Sequence, residues 1–404
     1  MLCTYSTEKL LGLKGVIVKN VRQLPDKTEI FIELPRKPHV CPCCGYRTSY
    51  VHDYRCQTVK DIPAFGKHTS LILRKRRYRC SLCGKRFFED NSFLPRYHRI
   101  TNRLAAYIIS KLSDVRSFTS VAREVNLSVS TIIRLFDCIH YGKPQQLPEV
   151  VSIDEFKGNT SGEKYQCILT DPVRHQILDI LPARYNHKLT EYFGRLDRSK
   201  TKHFVSDMWS IYANIAQTYF KNSNYVIDKY HYIRQVFWAF EAVRKEEQKK
   251  FSKTRRIYFK RSRILLNKRY QFLTPEQRQQ VNIMLYTSNR LLTAYSLKEQ
   301  FFKVLASSDS VSARTALSHW IMAAQNSGLS RFVACANTMI RWSRGILNSF
   351  DCSYTNGFTE GVNNKIKVLK RNAYGYRNFR RFRNRILHMF HHSTKNGSII
   401  NVGV

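Results

Sequence analysis

The chain has 404 residues, 68 Lys+Arg against 29 Asp+Glu, and a formal net charge of +39. At roughly 150 residues per domain this length predicts about two to three domains, and 43% apolar residues exclude wholesale disorder. No run of about 18 apolar residues occurs, which excludes a helical membrane span, and so large a positive excess argues against a free-standing enzyme of small metabolites and calls for a polyanion.

The N-terminal stretch MLCTYSTEKLLGLKG lacks the apolar core of an export signal. A cytoplasmic location is therefore expected, with the 11 cysteines read as thiols or metal ligands rather than disulfides. The basic residues are spread along the chain, Arg22 and Lys395 among them, and interleave with aromatics, as in YFKRSR and RNFRRFRNR. That pattern fits nucleic acid better than a membrane surface, and no membrane partner is expected.

In chain order, residues 16–34 read as two short strands around a PDK turn. Next come Cys41 and Cys44 in CPCCG and Cys80 and Cys83 in CSLCG. Each C-x-x-C-G knuckle supplies two thiolates from a tight turn, and the four together suit a tetrahedral, structural Zn²⁺. The 35 residues between them, 45–79, must hold a strand insert. Cys43 competes with Cys41 or Cys44, and Cys56 is a more distant competitor.

Residues 101–140 turn helical. SFTSVAREVNLSVSTIIRLFDCIHYG reads as helix, turn, helix, with Ala122 allowing close packing, Leu127 in the turn and Ser128 capping the second helix. Ile132, Ile133 and Phe136 are expected in the core. Ser128, Ser130, Thr131 and Arg134 are expected outward, as on a DNA recognition helix.

After the linker KPQQLPE, three hairpin-joined strands follow: VVSIDEF, KYQCILTD and HQILDIL. A helix (187–196), the strand HFVSD, a helix (209–220) and the strand YVID complete an α/β pattern. From Tyr230 about 120 residues are helical, with apolar stripes such as Ile233, Phe237, Phe240 and Val243 that mark bundle seams.

Acids are scarce, so those at strand ends need an account. Asp154 and Asp207 each follow a short apolar strand, where α/β sites assemble; Asp207 also stands where a helix cap would. Across residues 360–390 there are nine Lys/Arg and one acid, Glu360. Glu360 either favours the positive end of a helix capped by Thr359 or Asn356, or joins Asp154 and Asp207 on Mg²⁺. Two such ions suit phosphodiester chemistry. Glu155 should point to the opposite strand face from Asp154.

The order of zinc knuckles, helix-turn-helix, VVSIDEF, HFVSDMW, VIDKYHYIRQ and TNGFTEGVNNKIKVLKRNAYGYRNFRRFRNRIL resembles the bacterial DDE transposases of the ISL-three family of insertion sequences, over nearly the whole chain. The resemblance implies an α/β RNase H-like catalytic core, a mixed sheet with flanking helices, interrupted by an all-helical insertion and preceded by a β-rich zinc ribbon and a helix-turn-helix. The expected domains are 1–93 (zinc-binding), 94–143 (helix-turn-helix), 144–228 (core, first part), 229–351 (insertion), 352–392 (final basic helix of the core) and 393–404 (tail). It places the acidic triad on Asp154, Asp207 and Glu360, holding two Mg²⁺ with Mn²⁺ as an alternative. Asp228 and His231 match a further motif in a supporting role. Lys365, Lys367, Lys370, Arg371, Arg380, Arg381 and Arg383 become candidate phosphate contacts. The implied partners are double-stranded DNA, as element ends and target, and a second copy of the chain in a homodimer or higher assembly at the bacterial nucleoid. A DNA-binding regulator built on a transposase body is the rival reading.

Overall fold

The computed structural model describes residues 10–391 except 353 and 355. The described residues form two compact units: those up to Tyr141 together with those from Ile366 onward, and Gly142–Lys365.

The first unit opens with β1 (Ile17–Gln23) and β2 (Lys27–Glu33), an antiparallel pair. The short pair β3 (His39–Val40) and β4 (Arg47–Thr48) brackets the first knuckle. The expected strand insert is a long hairpin, β5 (Val51–Ala64) and β6 (Lys67–Arg79). It turns at Phe65-Gly66, where φ is 53° and 74°, the left-handed pair that matches strand twist. Sheet order is β1-β2-β6-β5, with β7 (Arg86–Phe88) on the end of β6. Alternate residues Ile30, Ile32, Val59, Leu71 and Leu73 form its core.

Helix α1 (Asn102–Lys111) is capped by Thr101, whose hydroxyl donates to Asp61 Oδ1 at 2.7 Å. Arg103 Nε donates to the same oxygen at 2.8 Å, which fastens the helix to β5. The helix pair is α2 (Phe118–Glu124) and α3 (Val129–Asp137). Ser117 and Ser128 cap them, and Asn126 takes a positive φ of 51° in the turn. Ile132 and Phe136 are buried as expected, while Ile133 is half-buried.

The second unit holds β8 (Val150–Phe156), β9 (Gln166–Asp171), β10 (Gln176–Leu181), α4 (Asn186–Gly194), β11 (His203–Ser206), α5 (Ser210–Tyr219) and β12 (Asn224–Ile227). Sheet order is β10-β9-β8-β11-β12. The three hairpin-linked strands are antiparallel, and β11 runs parallel to both β8 and β12. On one face Val151, Ile153, Leu169 and Phe204 pack against Leu189 and Phe193 of α4 and Tyr212 and Ile215 of α5. On the other, Val150, Val205 and Val226 meet Cys352.

The helical segment comprises α6 (Lys229–Gln248), α7 (Lys253–Arg261), α8 (Arg263–Asn267), a 3₁₀ turn (Tyr270–Phe272), α9 (Pro275–Tyr286), α10 (Asn289–Leu305), α11 (Ser310–Gln325) and α12 (Ser330–Asn348) around one apolar core. Its centre holds Phe301, Trp320 and Phe332, and the Trp320 indole N–H donates to Leu297 O at 2.8 Å. Helix α12 leans on β12 at Gly345, where a Cβ would stand 2.6 Å from Ile227 Cγ1.

The expected single basic helix is two, α13 (Gly357–Asn372) and α14 (Phe379–His391). The boundary between the units falls within α13 after Lys365. Helix α14 packs on the helix-turn-helix. Its fully buried Arg385 donates to the carbonyls of Leu112, Asp114 and Arg116, which closes the C-terminus of α1. His388 is also buried, with Nε2 2.8 Å from Ile109 O and Nδ1 2.6 Å from the Tyr141 hydroxyl.

Candidate functional site

The parallel register decides which acids meet. Val205 pairs with Ser152, so Asp207, just past the end of β11, comes to the end of β8 that carries Asp154. Ser206 pairs with Ile227, so one residue onward Asp207 lies beside Asp228. Laterally paired residues share a sheet face, with strands about 4.8 Å apart. Three neighbouring strands thus bring Asp154, Asp207 and Asp228 to one edge of the sheet, where the charges of Asp154 and Asp228 both act on Asp207. Strand β8 continues past Asp154 to Phe156 because β9 still pairs there. Glu155 points to the other face, where Arg184 Nη1 binds its Oε2 at 2.7 Å.

Helix α13 approaches this face at its first turns. Asn356 N–H donates to Asp228 Oδ1 at 3.2 Å. The Ser152 hydroxyl donates to Asn356 Oδ1. Buried Thr359 shares a 2.7 Å hydrogen bond with Thr170 of β9. Asn363 Nδ2 donates to Asp154 Oδ2 at 2.9 Å, and Asp154 Oδ1 accepts from Glu155 N–H at 2.7 Å. Glu360, exposed in the first turn of α13, adds its charge to the field at Asp154. Asn356 and Thr359 are thereby committed to β8 and β9.

Burial pushes Asp154 up to about 6, and the charges of Glu155, Asp228 and Glu360 add to it. Burial, Glu155 and Asp154 push Asp207 up to about 7, against the opposing pull of Arg234. Burial also raises Asp228, opposed by the Asn356 N–H. Asp207 is no helix cap: Trp209 holds that position for α5, and Asp207 Oδ1 is buried without a hydrogen-bond partner. A buried carboxylate oxygen left unpaired among other carboxylates suits a cation. Asp228 stands at the N-cap position of α6 without a side-chain cap bond. His231 Nε2 is 3.8 Å from Asp228 Oδ2, and burial together with Arg234 lowers its pKa to about 4, so it is neutral at pH 7.

Two contributors were not singled out from the sequence. Asn363 follows Glu360 by three residues, one helical turn. Arg234 follows His231 by the same spacing, with Nη2 3.3 Å from His231 Nδ1. An Asn or Arg at i+3 from a candidate residue is the available signal, and it acquires meaning only when the helix docks.

The four cysteines converge as expected. All four Sγ atoms of Cys41, Cys44, Cys80 and Cys83 lie within 4.8 Å of one another. The Cys41–Cys83 and Cys44–Cys80 separations are 3.6 and 3.5 Å, close to the roughly 3.8 Å that Zn–S bonds of about 2.3 Å give in a tetrahedron. The knuckles match: Gly45 N–H donates to Cys41 O at 3.0 Å and Gly84 N–H to Cys80 O at 3.1 Å, with φ of 74° and 70°. Cys43 and Cys56 are exposed and outside the group. Four thiolates would fill the coordination sphere of a Zn²⁺ held there, as in a structural site. Among the described residues the acids form no group this tight.

Of the expected DNA contacts, Ser130 and Arg134 are exposed on α3 and Thr131 is half-buried. Ser128 is exposed but engaged in capping, with bonds to Thr131 N–H and both neighbouring hydroxyls. On α13, Lys367 and Arg371 are exposed and Lys365 and Lys370 half-buried. The α14 arginines face the helix-turn-helix: Arg381 grips Asp137 at 2.9 and 2.6 Å, Arg383 Nη1 donates to Tyr141 O at 2.9 Å, and Arg380 Nη2 lies 3.2 Å from His140 Nδ1. Among the described residues no helix is long and apolar enough to cross a membrane.

A family profile described as "Transposase" (DDE_Tnp_ISL3) matches residues 151–386. One described as "zinc-finger of transposase IS204/IS1001/IS1096/IS1165" matches 37–83, and "Helix-turn-helix domain of transposase family ISL3" matches 89–140. The Bordetella parapertussis "Transposase for insertion sequence element IS1001" is 29% identical over 385 residues, covering 92% of this chain and 94% of that protein. A Lactococcus lactis subsp. lactis protein named "ATP-dependent protease" is 36% identical over 107 residues, only 26% of this chain and 33% of that one. The protease name therefore carries no weight here, whereas the transposase profile takes in more than half the chain, with the zinc finger and helix-turn-helix in order before it. The chain belongs to the ISL3 family of DNA-binding transposases.

Proposed function

We propose that Asp154, Asp207 and Glu360 are the catalytic acids, set on an RNase H-like core made of residues 144–228 and the start of α13. The 3-2-1-4-5 order of β10, β9, β8, β11 and β12, with antiparallel hairpins on one side and parallel strands on the other, supports that reading. The observation that carries the site is the buried, unpartnered Asp207 Oδ1 within the field of Asp154.

These three acids would hold two Mg²⁺. When bound there, the ions supply activation of the attacking oxygen and neutralise charge on the scissile phosphodiester. Asp154 sits at the middle strand, its Oδ2 held by the Asn363 amide, so one oxygen is oriented before any ligand arrives. Asp207 offers its free oxygen from the next strand, and Glu360 closes the site from α13. Neutral His231 and Arg234 flank Asp228 and Asp207 as supporting groups. DNA cleavage would free a 3′-hydroxyl at the element's end, which then attacks target DNA in line, without a covalent protein–DNA intermediate. Holding two ends at once calls for a dimer or higher assembly. In α3, Ser130, Thr131 and Arg134 would read the terminal repeats.

The test is strand cleavage on the element's own locus with both flanks, with Mg²⁺ or EDTA. Nicks at two inverted repeats are expected from the native protein, and none from Asp154→Asn or Glu360→Gln despite retained binding. Cleavage by Glu360→Gln above background would move the third acid elsewhere.

A further inference from the structure

Residues 248–275 contain ten Lys/Arg and no Asp/Glu. Most of this charge stands on or beside α7, the second helix of the helical segment. Helix α7 buries one residue, Phe259, which packs on Phe251 at 4.7 Å between ring centroids. Its main chain is clamped from α6. Arg244 Nη1 donates to Phe259 O at 3.3 Å and Gln248 Nε2 to Arg256 O at 2.7 Å. Arg244 is itself fixed by two 2.7 Å bonds to Glu241. The anchors thus use carbonyls and leave the α7 side chains to solvent. Lys253, Arg255, Arg256, Lys260 and Arg261 are all exposed.

Neighbouring cations differ. Lys250 pairs with Glu247, and Arg263 lies 3.5 Å from Glu241. Among the described residues none of the five α7 cations lies within 4.0 Å of an acid. Isolated, this arrangement is unfavourable. Lys253, Arg255 and Arg256 crowd the positive end of the helix, and Arg256 and Lys260 repel one turn apart. Ile257 and Tyr258 are exposed among them, 48% and 45% accessible, and give the strip apolar contact surface. A nine-residue helix is about 13 Å long, and duplex DNA carries one charge per about 1.7 Å of axis. The strip therefore matches a stretch of about eight phosphate charges.

We propose that α7 is a second, sequence-independent site for the phosphate backbone of duplex DNA, distinct from the helix-turn-helix. It rests on the chain being a DNA-binding transposase and not on the assignment of the acids. The duplex is either the element's own end or the target.

The test uses full-length protein carrying Arg255→Ala, Arg256→Ala, Lys260→Ala and Arg261→Ala together. Alanine keeps helix propensity, and a parallel Arg255→Lys, Arg256→Lys, Arg261→Lys variant keeps the charge. Affinity is measured against salt for a terminal-repeat duplex and a scrambled duplex of equal length. The alanine variant is expected to lose about 0.9 from the log–log salt slope per lost phosphate contact, by similar amounts on both duplexes, with the preference for the repeat retained. The lysine variant should keep the native slope. An unchanged slope in a folded alanine variant overturns the proposal and leaves the strip to an acidic protein partner. Loss of joining to target with end cleavage retained assigns the site to target DNA; loss of both assigns it to the element's end.

Discussion

At Asp207 and Asp154 the fold keeps protons that exposed carboxyls have already lost. Their pKa values of about 7 and 6 lie above the roughly 3.9 of an unfolded Asp. Between those limits the folded state binds more protons than the unfolded state. Stability without metal therefore falls as pH rises from about 4 through 7. At about 1.4 kcal/mol per tenfold change in proton affinity, the cost at pH 8 reaches a few kcal/mol. Asp207→Asn is expected to raise the metal-free Tm at pH 8 by several degrees, to change it little at pH 4, and to abolish cleavage. An equal gain at both pH values would show that ionisation is not the cause. That Asp154 and Glu155 point to opposite faces of β8 needed only strand alternation, which was legible. Asn363 and Arg234 were not, because each is defined by what a docked helix brings it against.

At the scale of elements, strand and helix order followed from apolar periodicity, and β8 through β12 appear where expected. The last segment is two helices where one was expected. Within RNFRRFRNRIL, Arg385 is fully buried on three carbonyls and Arg381 pairs with Asp137. Charge is visible in a sequence; the group facing it is not. Gly345 shows the same limit. As a mid-helix glycine it should cost stability, and alanine should help by about 1 kcal/mol. Its contact with Ile227 reverses the sign, because the added carbon meets a strand side chain near its root. Overpacking costs about 1–3 kcal/mol, so Gly345→Ala is expected to lower Tm and, by shifting β12 and Asp228, to reduce cleavage. A stabilised variant would mean that α12 slides freely on the sheet.

For the whole molecule, the two units have separate apolar cores, and only one contains the zinc ligands. Zinc joins knuckles that lie far apart in sequence, so its loss should loosen the β5–β6 hairpin and its sheet without melting the other core. Chelation followed by hydrogen exchange is expected to deprotect residues 51–79 and leave β8, β11 and β12 protected, with binding preference for the terminal repeats lost. Uniform deprotection would make the two units one cooperative body.

The zinc ligands, the helix-turn-helix and the candidate acids could be read from residue type and spacing, because chelation by knuckles, capping by Ser128 and the position of a scarce acid at a strand end are local consequences of a few neighbouring residues. The tertiary structure decided the remainder. Parallel pairing set Asp228 beside Asp207, docking of α13 gave Asn363 to Asp154, and packing of α14 buried Arg385 and paired Arg381 with Asp137. These are long-range pairings, and a linear pattern carries no record of which distant surface a side chain will meet.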